Sequence, residues 1–349
     1  MTAPVNTRSP DKNPNGIVLI GGDRYDTFIE KQLVQEITVE LATDESSEGV
    51  LRVFDPDFGI LDRYSSADGV PELEMLFYLG FGLDLGPPVF KGLLERVHHD
   101  GSDTVFIAYD MSYRMRRELK AEYHKRLDDV GIIRKLAERN GLLFEGPDEI
   151  NPPLDTHPSM IQDSKNDWEH SLERARDAGF NIYVRHDTLF CKEPAKLSAP
   201  ILSLIYRKDF LFLHEPALTY KTPENEQGRP KIVEQRGRHR GGRRLTGRSR
   251  EHRRGHKPTE IRKDMSEHTP TWVKRRAHAQ KEQQREPAWK CRVQSIPPLP
   301  VLRPDVRNTI ELLEVGKLFS GPYLCDRVRH TLSGGGAFAT EYELYRDVG

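Results

Sequence analysis

Histidines, paired carboxylates and glycine pairs are the residues of this chain that could do chemistry, and each group falls short of what its chemistry needs. His252 and His256 stand four apart, which would set two imidazoles on one helical face, but no third and fourth ligand accompany them. His98-His99-Asp100 precedes Gly101 at a hairpin turn, and His214-Glu215 lacks the second histidine of a zinc-protease helix. Asp128-Asp129 and Asp55-x-Asp57 read as helix-cap and turn carboxylates rather than as an acid–base pair. Gly21-Gly22 and Gly80-Phe81-Gly82 have neither the third glycine nor the following helix of a phosphate cradle, and no Gly-x-Ser-x-Gly elbow occurs. No catalytic, cofactor-binding or metal-binding residue is therefore assigned, and the chain is expected not to be an enzyme.

The sharpest charge signal is Arg236 to Arg254, which holds nine Arg and one Glu. Such a run could bind phosphates through counterion release. A single-strand platform would interleave stacking rings, yet residues 221 to 271 contain no Phe, Tyr or Trp. The run is read as a solvated or partner-facing basic loop, with Gln235, Gly237 and Gly241-Gly242 leaving a twisted hairpin open. Direct nucleic-acid binding is disfavoured. Trp168 reads as a core anchor, whereas Trp272 and Trp289 flank a stretch, 274 to 284, with almost no apolar stripe, expected to be exposed or bound to something.

The whole chain counterbalances the basic run. Its 349 residues carry a formal net charge of -1, so no global field draws it to nucleic acid or an anionic membrane, and 36% hydrophobic residues suffice for real cores. Mean hydropathy is -0.67. Cys191, Cys291 and Cys325 are odd in number and far apart, which suits a reducing compartment. The first sixteen residues lack the apolar core of a signal peptide, and no run approaches the ~20 apolar residues of a membrane span. No membrane insertion is expected.

The elements that must position these residues are mostly strands. Ile37, Val39 and Leu41 alternate with Thr38 and Glu40, and further strands are expected near 50–54, 74–79, 89–98 and 105–110. Val130, Ile133, Leu136 and Ala137 repeat at helical spacing behind Asp128 and Asp129, with Gly141 ending the helix. A second helix starts with a capping pattern at Ser164 to Asp167, buries Trp168, Leu172 and Ala175, and stops at Gly179. A hairpin follows, turning at His186 and Asp187, and strands resume at 200–220. The chain closes on two strands around Ser333-Gly334-Gly335-Gly336, whose glycines are expected to supply positive φ.

That closing hairpin resembles the phage late control protein D family in Gly321, Tyr323, Val328, His330, Thr340, Glu341, Tyr342 and Arg346. Its lead-in is similar too, through Pro304, Ile310, Leu312, Gly316 and Phe319, with Asp305 where the family has Gly. Gln162, Asp167, Leu172, Ala175, Gly179, Phe180 and Tyr183 resemble the family's core helix segment, and Phe90, Gly92, Leu94 and Val97 one of its strands. The resemblance runs from about Gly16 to Arg346.

The resemblance implies a mainly β fold with inserted α/β elements and two tandem β-barrel hub domains. Residues 1–16 would be a disordered N-terminal tail, 17–110 a first barrel, 111–199 an α/β insertion, and 200–349 a second barrel carrying a basic segment at 229–292. The two barrels are expected to superpose and not to share a continuous sheet. The implied function is structural: a baseplate hub linking a sixfold tail tube to a threefold spike in a contractile tail or injection system. Its implied partners are itself as a homotrimer, the tail tube protein, a trimeric spike, and baseplate wedge and tape-measure components. Ending at Gly349, the chain is expected to use a separate spike. The implied location is an assembled particle after synthesis in the bacterial cytoplasm. Two other readings stand beside it, a basic nucleic-acid-binding protein and a tail-associated cell-wall hydrolase.

Overall fold

The computed structural model describes residues 13–27, 33–43, 45–65, 72–82, 85–147, 150, 154, 156–213, 218–220, 233–238, 244–248, 260–267, 273, 275–277, 289–295 and 307–346. Alternating burial builds its first part: β1 (Pro14–Ile20), β2 (Asp23–Asp26), β3 (Val34–Ala42), β4 (Glu48–Phe54), helix α1 (Gly59–Tyr64), β5 (Glu74–Phe81), β6 (Phe90–Asp100) and β7 (Asp103–Asp110). These strands are ordered β3-β4-β7-β6-β5-β1-β2, all antiparallel. Ile37, Val39, Leu51, Val53, Phe77 and Phe106 fill the inner face, each fully buried. Gly49 makes room for them, because a Cβ there would lie 2.7 Å from the Phe77 ring.

β1 begins inside the stretch expected to be a disordered tail. Asn15 is buried, donating from Nδ2 to the Gly82 carbonyl at 3.2 Å and accepting from Thr27 Oγ1 at 2.9 Å, so residues 14–16 are pinned beside β5. Residues 1–12 lie outside the described residues.

The insertion comprises α2 (Tyr113–Arg116), β8 (Lys120–His124), α3 (Asp129–Arg139), β9 (Leu143–Glu145), β10 (Met160–Lys165), α4 (Asp167–Ala178), β11 (Asn181–Arg185) and β12 (Thr188–Lys192). Asp128 caps α3, accepting from Gly131 N at 2.6 Å. The α4 capping box is formed by Asn166 and Glu169, two residues on from the expected Ser164, and Gly179 ends the helix at φ 82. Ile133, Leu136, Trp168, Ala175, Phe180 and Leu189 form a second core beneath these helices.

The last part holds β13 (Leu202–Ile205), β14 (Phe210–Phe212), β15 (Leu218–Tyr220), β16 (Val233–Arg238), β17 (Arg244–Arg248), β18 (Glu260–Glu267), β19 (Trp289–Ser295), β20 (Thr309–Leu313), β21 (Gly321–Ser333) and β22 (Phe338–Arg346). β13 pairs with β20, β20 with β21, β21 with β22, β22 with β19, and β19 with β14 and β15. The bridge between Tyr206 and Phe210 brings the two ends of this path together.

The two β regions do share one sheet, contrary to expectation. β21 is 13 residues long and β20 only 5, so β20 covers Gly321–Leu324 and leaves the rest of that edge bare. β3 fills it, pairing Arg327 to Ser333 with Ala42 to Glu36, and a 14-stranded sheet results. An open edge of this length would otherwise invite pairing with another chain.

Two further expectations had left alternatives open. Part of the Arg-rich run is strand, not loop: β16 pairs antiparallel with β17 and parallel with β18, while residues 239–243 and 249–254 lie outside the described residues. In the stretch 274–284, expected to be exposed or bound to something, residues 275–277 are described: Ala277 is fully buried, as is Val273 just before the stretch, and Arg276 Nε lies 3.0 Å from Asp177 Oδ1 at the end of α4. That contact supplies the missing partner from within the chain.

Candidate functional site

The structure scatters the residues considered for chemistry. His99 Nε2 lies 2.8 Å from the Asp55 carbonyl, while Asp100 accepts from Arg52 at 3.1 Å on the outer side of the β6–β7 hairpin. The Asp55 carboxylate caps α1, accepting from Ile60 N, Leu61 N and Thr104 Oγ1. Burial raises its pKa, but these hydrogen bonds outweigh that and hold it below the usual carboxylate range. Gly21 and Gly22 sit in the β1–β2 turn at φ 56 and 105. His214, Glu215, His252, His256, Pro304 and Asp305 lie outside the described residues. Among the described residues no three potential ligands gather as a metal site.

What the structure does assemble is the closing hairpin. Arg346 lies 5.1 Å from the Trp289 ring centroid and 4.7 Å from that of Tyr323, and donates to the carbonyls of Ser320 and Leu318 at 3.2 and 2.8 Å. Gly321, at φ 132, is the neighbour that permits this, since a Cβ there would meet Arg346 Nη1 at 2.7 Å. Tyr323 donates its hydroxyl to the Phe319 carbonyl at 2.8 Å, and Phe319 meets Trp289 edge-on at 4.8 Å. His330 is fully buried with Nδ1 3.0 Å from Thr340 Oγ1. The motif residues Gly321, Phe319, Tyr323 and Arg346 thus make one packed cluster, and His330 and Thr340 another.

Between the two clusters β21 carries a bulge at Cys325–Arg327, which turns Asp326 outward and shifts the inward phase from Tyr323 and Cys325 to Val328, His330 and Leu332. Arg327 then bridges the strands, with Nη1 2.5 Å from Glu40 on β3 and Nη2 2.5 Å from Glu45. Arg329 Nε lies 3.0 Å from the other Glu40 oxygen. Burial works against the Arg327 charge, but Glu40, Glu45 and Glu343 outweigh it and raise the guanidinium pKa.

The insertion holds a buried polar network. Asp167 accepts from Arg139 Nη2 at 2.5 Å, Asn140 Nδ2 at 2.7 Å and Gln162 Nε2 at 3.0 Å, while Gln162 Oε1 lies 3.2 Å from His124 Nε2. Asp129 sits 3.0 Å from His157 and 3.4 Å from Arg174. His170 stacks on His124 at 5.3 Å, and neither of its ring nitrogens has a hydrogen-bond partner among the described residues. These carboxylates are paired with cations and amides, so they fasten elements of the insertion together. Sequence reasoning found Gln162 and Asp167 by resemblance but missed the imidazole stack, whose members lie forty-six residues apart.

The outer surface shows features no periodicity announced. Tyr123 and Ile161 are cross-strand partners on the β8–β10 ribbon and are 63% and 54% exposed, because the ribbon turns Glu122, His124 and Gln162 inward instead. Phe58 holds φ 60, rare for a bulky residue, with its ring 4.2 Å from His99.

A family comparison matches residues 18–215 to the Alg8 N-terminal domain, more than half of the chain. The chain belongs to that family. The late control protein D resemblance rests on its motifs alone. No curated protein matches. Among solved structures, the tail protein from Neisseria meningitidis MC58 is similar at a TM-score of 0.67 with 14% identity, covering 96% of this chain and 97% of that one. The 43 kDa tail protein of prophage MuSo2 from Shewanella oneidensis follows at 0.60 and 12%, covering 95% and 98%. An E. coli component of the type VI secretion system is similar at 0.57 and 9%, covering 95% and 77%. At these identities the likeness is one of fold: a mainly β, tail-protein-like architecture along nearly the whole chain. No helix among the described residues is long and apolar enough to cross a membrane.

Proposed function

We propose that this chain is a structural protein of a contractile tail or tail-like injection particle, acting as the baseplate hub between a sixfold tube and a threefold spike. The observation that carries this reading is the fold shared with tail proteins over at least 95% of this chain and nearly all of two of those structures. The motif residues support it as well, since Gly321, Phe319, Tyr323 and Arg346 act in packing. In this reading the first β region, the α/β insertion and the second β region are the working domains. A homotrimer presents two β lobes per chain, six around the axis, through heterologous ring contacts. Tail tube, trimeric spike, wedge and tape-measure proteins are its neighbours in the particle.

The test is a reconstruction of purified particles from the producing bacterium, with the chain located by density and by mass spectrometry. Threefold density at the junction of tube and spike is expected. Six copies, or a single one, would overturn the hub assignment, and absence from particles would overturn the tail reading altogether.

A further inference from the structure

Three arginines, Arg114, Arg116 and Arg117, stand in and just after α2, and two of them share one acid. Glu72, just before β5, accepts from Arg117 Nη1 at 2.8 Å and lies 3.5 Å from Arg114 Nε. The Arg117 hydrogen bond is the chief reason that its carboxyl is held below the usual range. Arg116 has no such partner. It makes no hydrogen bond or ion pair among the described residues, and its Nε and Nη2 are shut in without an acceptor. Its guanidinium lies 4.8 Å from the ring centroid of Trp168 on α4. Asp110 is the acid that most supports its charge, but both Asp110 oxygens are engaged, by Ser47 N at 2.7 Å and Ser112 N at 2.9 Å. Burial outweighs that support and pulls the Arg116 pKa down.

The same side chain lines a cavity of about 490 Å³, with Glu72, Leu94, Glu95, Tyr113 and Arg117 as the other walls. The cavity lies between β6 and α2, where the first β region meets the insertion, and exposed Arg117 and Glu72 open it to the surface. With Nε and Nη2 enclosed, Nη1 is the Arg116 nitrogen left to face it. A half-buried cation without an acceptor is costly. Water would satisfy the N–H group but leave the charge uncompensated, whereas a carboxylate supplies both acceptor and counter-charge. Leu94 and the Tyr113 ring offer an apolar wall for the rest of such a molecule. A doubly charged phosphate would face Glu72 and Glu95 across the same space, so a single negative charge fits better.

We propose that this cavity binds an organic carboxylate, with an oxygen on Arg116 Nη1 and the hydrocarbon body against Leu94 and Tyr113. The carboxylate is that of a small free acid or of an acidic side chain on a partner protein, and the two share this chemistry. The proposal does not rest on the hub reading.

The experiment titrates the full chain with two probes, 3-phenylpropionate for a free acid and N-acetylglutamate N-methylamide for an acidic side chain, read by saturation-transfer NMR. At least one is expected to bind with a dissociation constant of about 1 mM, and the tighter of the two names the source. The uncharged amide of each probe should bind at least about tenfold more weakly, because it brings no counter-charge to Arg116. Arg116→Leu should weaken the acids by the same factor. It removes a cation without a partner, so it should fold. No binding of either acid at about 10 mM overturns the proposal. So do amides that bind as well as their acids, inorganic phosphate that binds more tightly than both acids, and a folded Arg116→Leu variant that binds like the parent. If that variant does not fold by circular dichroism, the acid and amide titrations of the parent decide, and equal affinities overturn the proposal. Because the isolated chain is measured, absence from particles would end the hub reading without changing this result.

Discussion

Arg327 on β21 holds Glu40 on β3 at 2.5 Å, a side-chain contact laid over the ladder that joins the two parts of the large sheet. Arg329 takes the second Glu40 oxygen at 3.0 Å, so one carboxylate serves two guanidinium groups on the same strand. The side chains of Arg327 and Glu40 are 32% and 21% exposed, which places the pair between a surface contact and a buried one. Backbone pairing and the apolar residues beneath must therefore supply most of the cohesion, with the ion pairs fixing register.

A double-mutant cycle of Arg327→Ala and Glu40→Ala should give a coupling of about 0.5–1 kcal/mol by urea unfolding at low salt, shrinking as salt rises. A coupling indistinguishable from zero at low salt would show that the pair contributes nothing to the joint.

The glycine turn divides its labour unevenly. A Cβ on Gly334 would lie 2.0 Å from the Val34 carbonyl oxygen, and Gly334 N donates to the Gln35 carbonyl at 2.7 Å, so the turn lies directly against the start of β3. Gly335 does not have positive φ, and a Cβ added there would meet Ser333 Oγ at an ordinary 3.8 Å. Gly334→Ala should cost about 2–4 kcal/mol in thermal or urea unfolding, whereas Gly335→Ala should stay within about 0.5 kcal/mol. Equal effects at the two positions would contradict the close approach.

This turn shows how far the sequence could be read. Its position between two alternating strands was legible, since Val328, His330 and Leu332 point inward in β21 and Phe338, Thr340 and Tyr342 in β22. The reason for its glycines was not, because only Gly336 of the three has positive φ and Gly334 answers to a strand three hundred residues away. The bulge at Cys325–Arg327 was hidden likewise, since unbroken alternation along this strand would set Asp326 on the same face as Val328. Helices α3 and α4 were readable from caps and period because both signals are local. The β3–β21 ladder depends on an edge left uncovered by a short β20, which no local pattern records.

Burial decides the behaviour of the thiols. Desolvation pushes the Cys291 thiol up to about 12 and Cys325 higher still, and both side chains lie inside the large sheet. Native protein should show almost no reaction of these two with a thiol reagent near neutral pH, and full reaction after unfolding. Rapid labelling of either in the native state, read by peptide mass spectrometry, would contradict their placement.

The imidazole stack gives the insertion a pH dependence with a definite sign. His170 is pushed from its ordinary 6.5 to about 4, first by burial and then by the positive charge of Arg174 and by His124, with Glu173 opposing and Lys165 adding to the shift. His124 is lowered too, chiefly by burial, with Lys135 and Arg139 on the same side and Gln162 and Glu122 opposing. Below pH 6.5 the unfolded chain takes up protons that the folded chain refuses, so this contribution is complete above pH 6.5 and is lost as pH falls toward 4. For His170 alone the full loss approaches about 3 kcal/mol. Burial raises the Asp167 pKa, but Gln162, Asn140 and Arg139 outweigh it and hold the carboxylate below its ordinary 3.8, so its own loss comes at lower pH. Urea unfolding from pH ~7 to ~4.5 should therefore show a stability decline that His170→Leu makes shallower, the variant gaining relative to the parent as acid is added. The variant also removes two buried nitrogens without partners, so it should fold. A parallel decline in parent and variant would show that His170 is not the group that acid finds first.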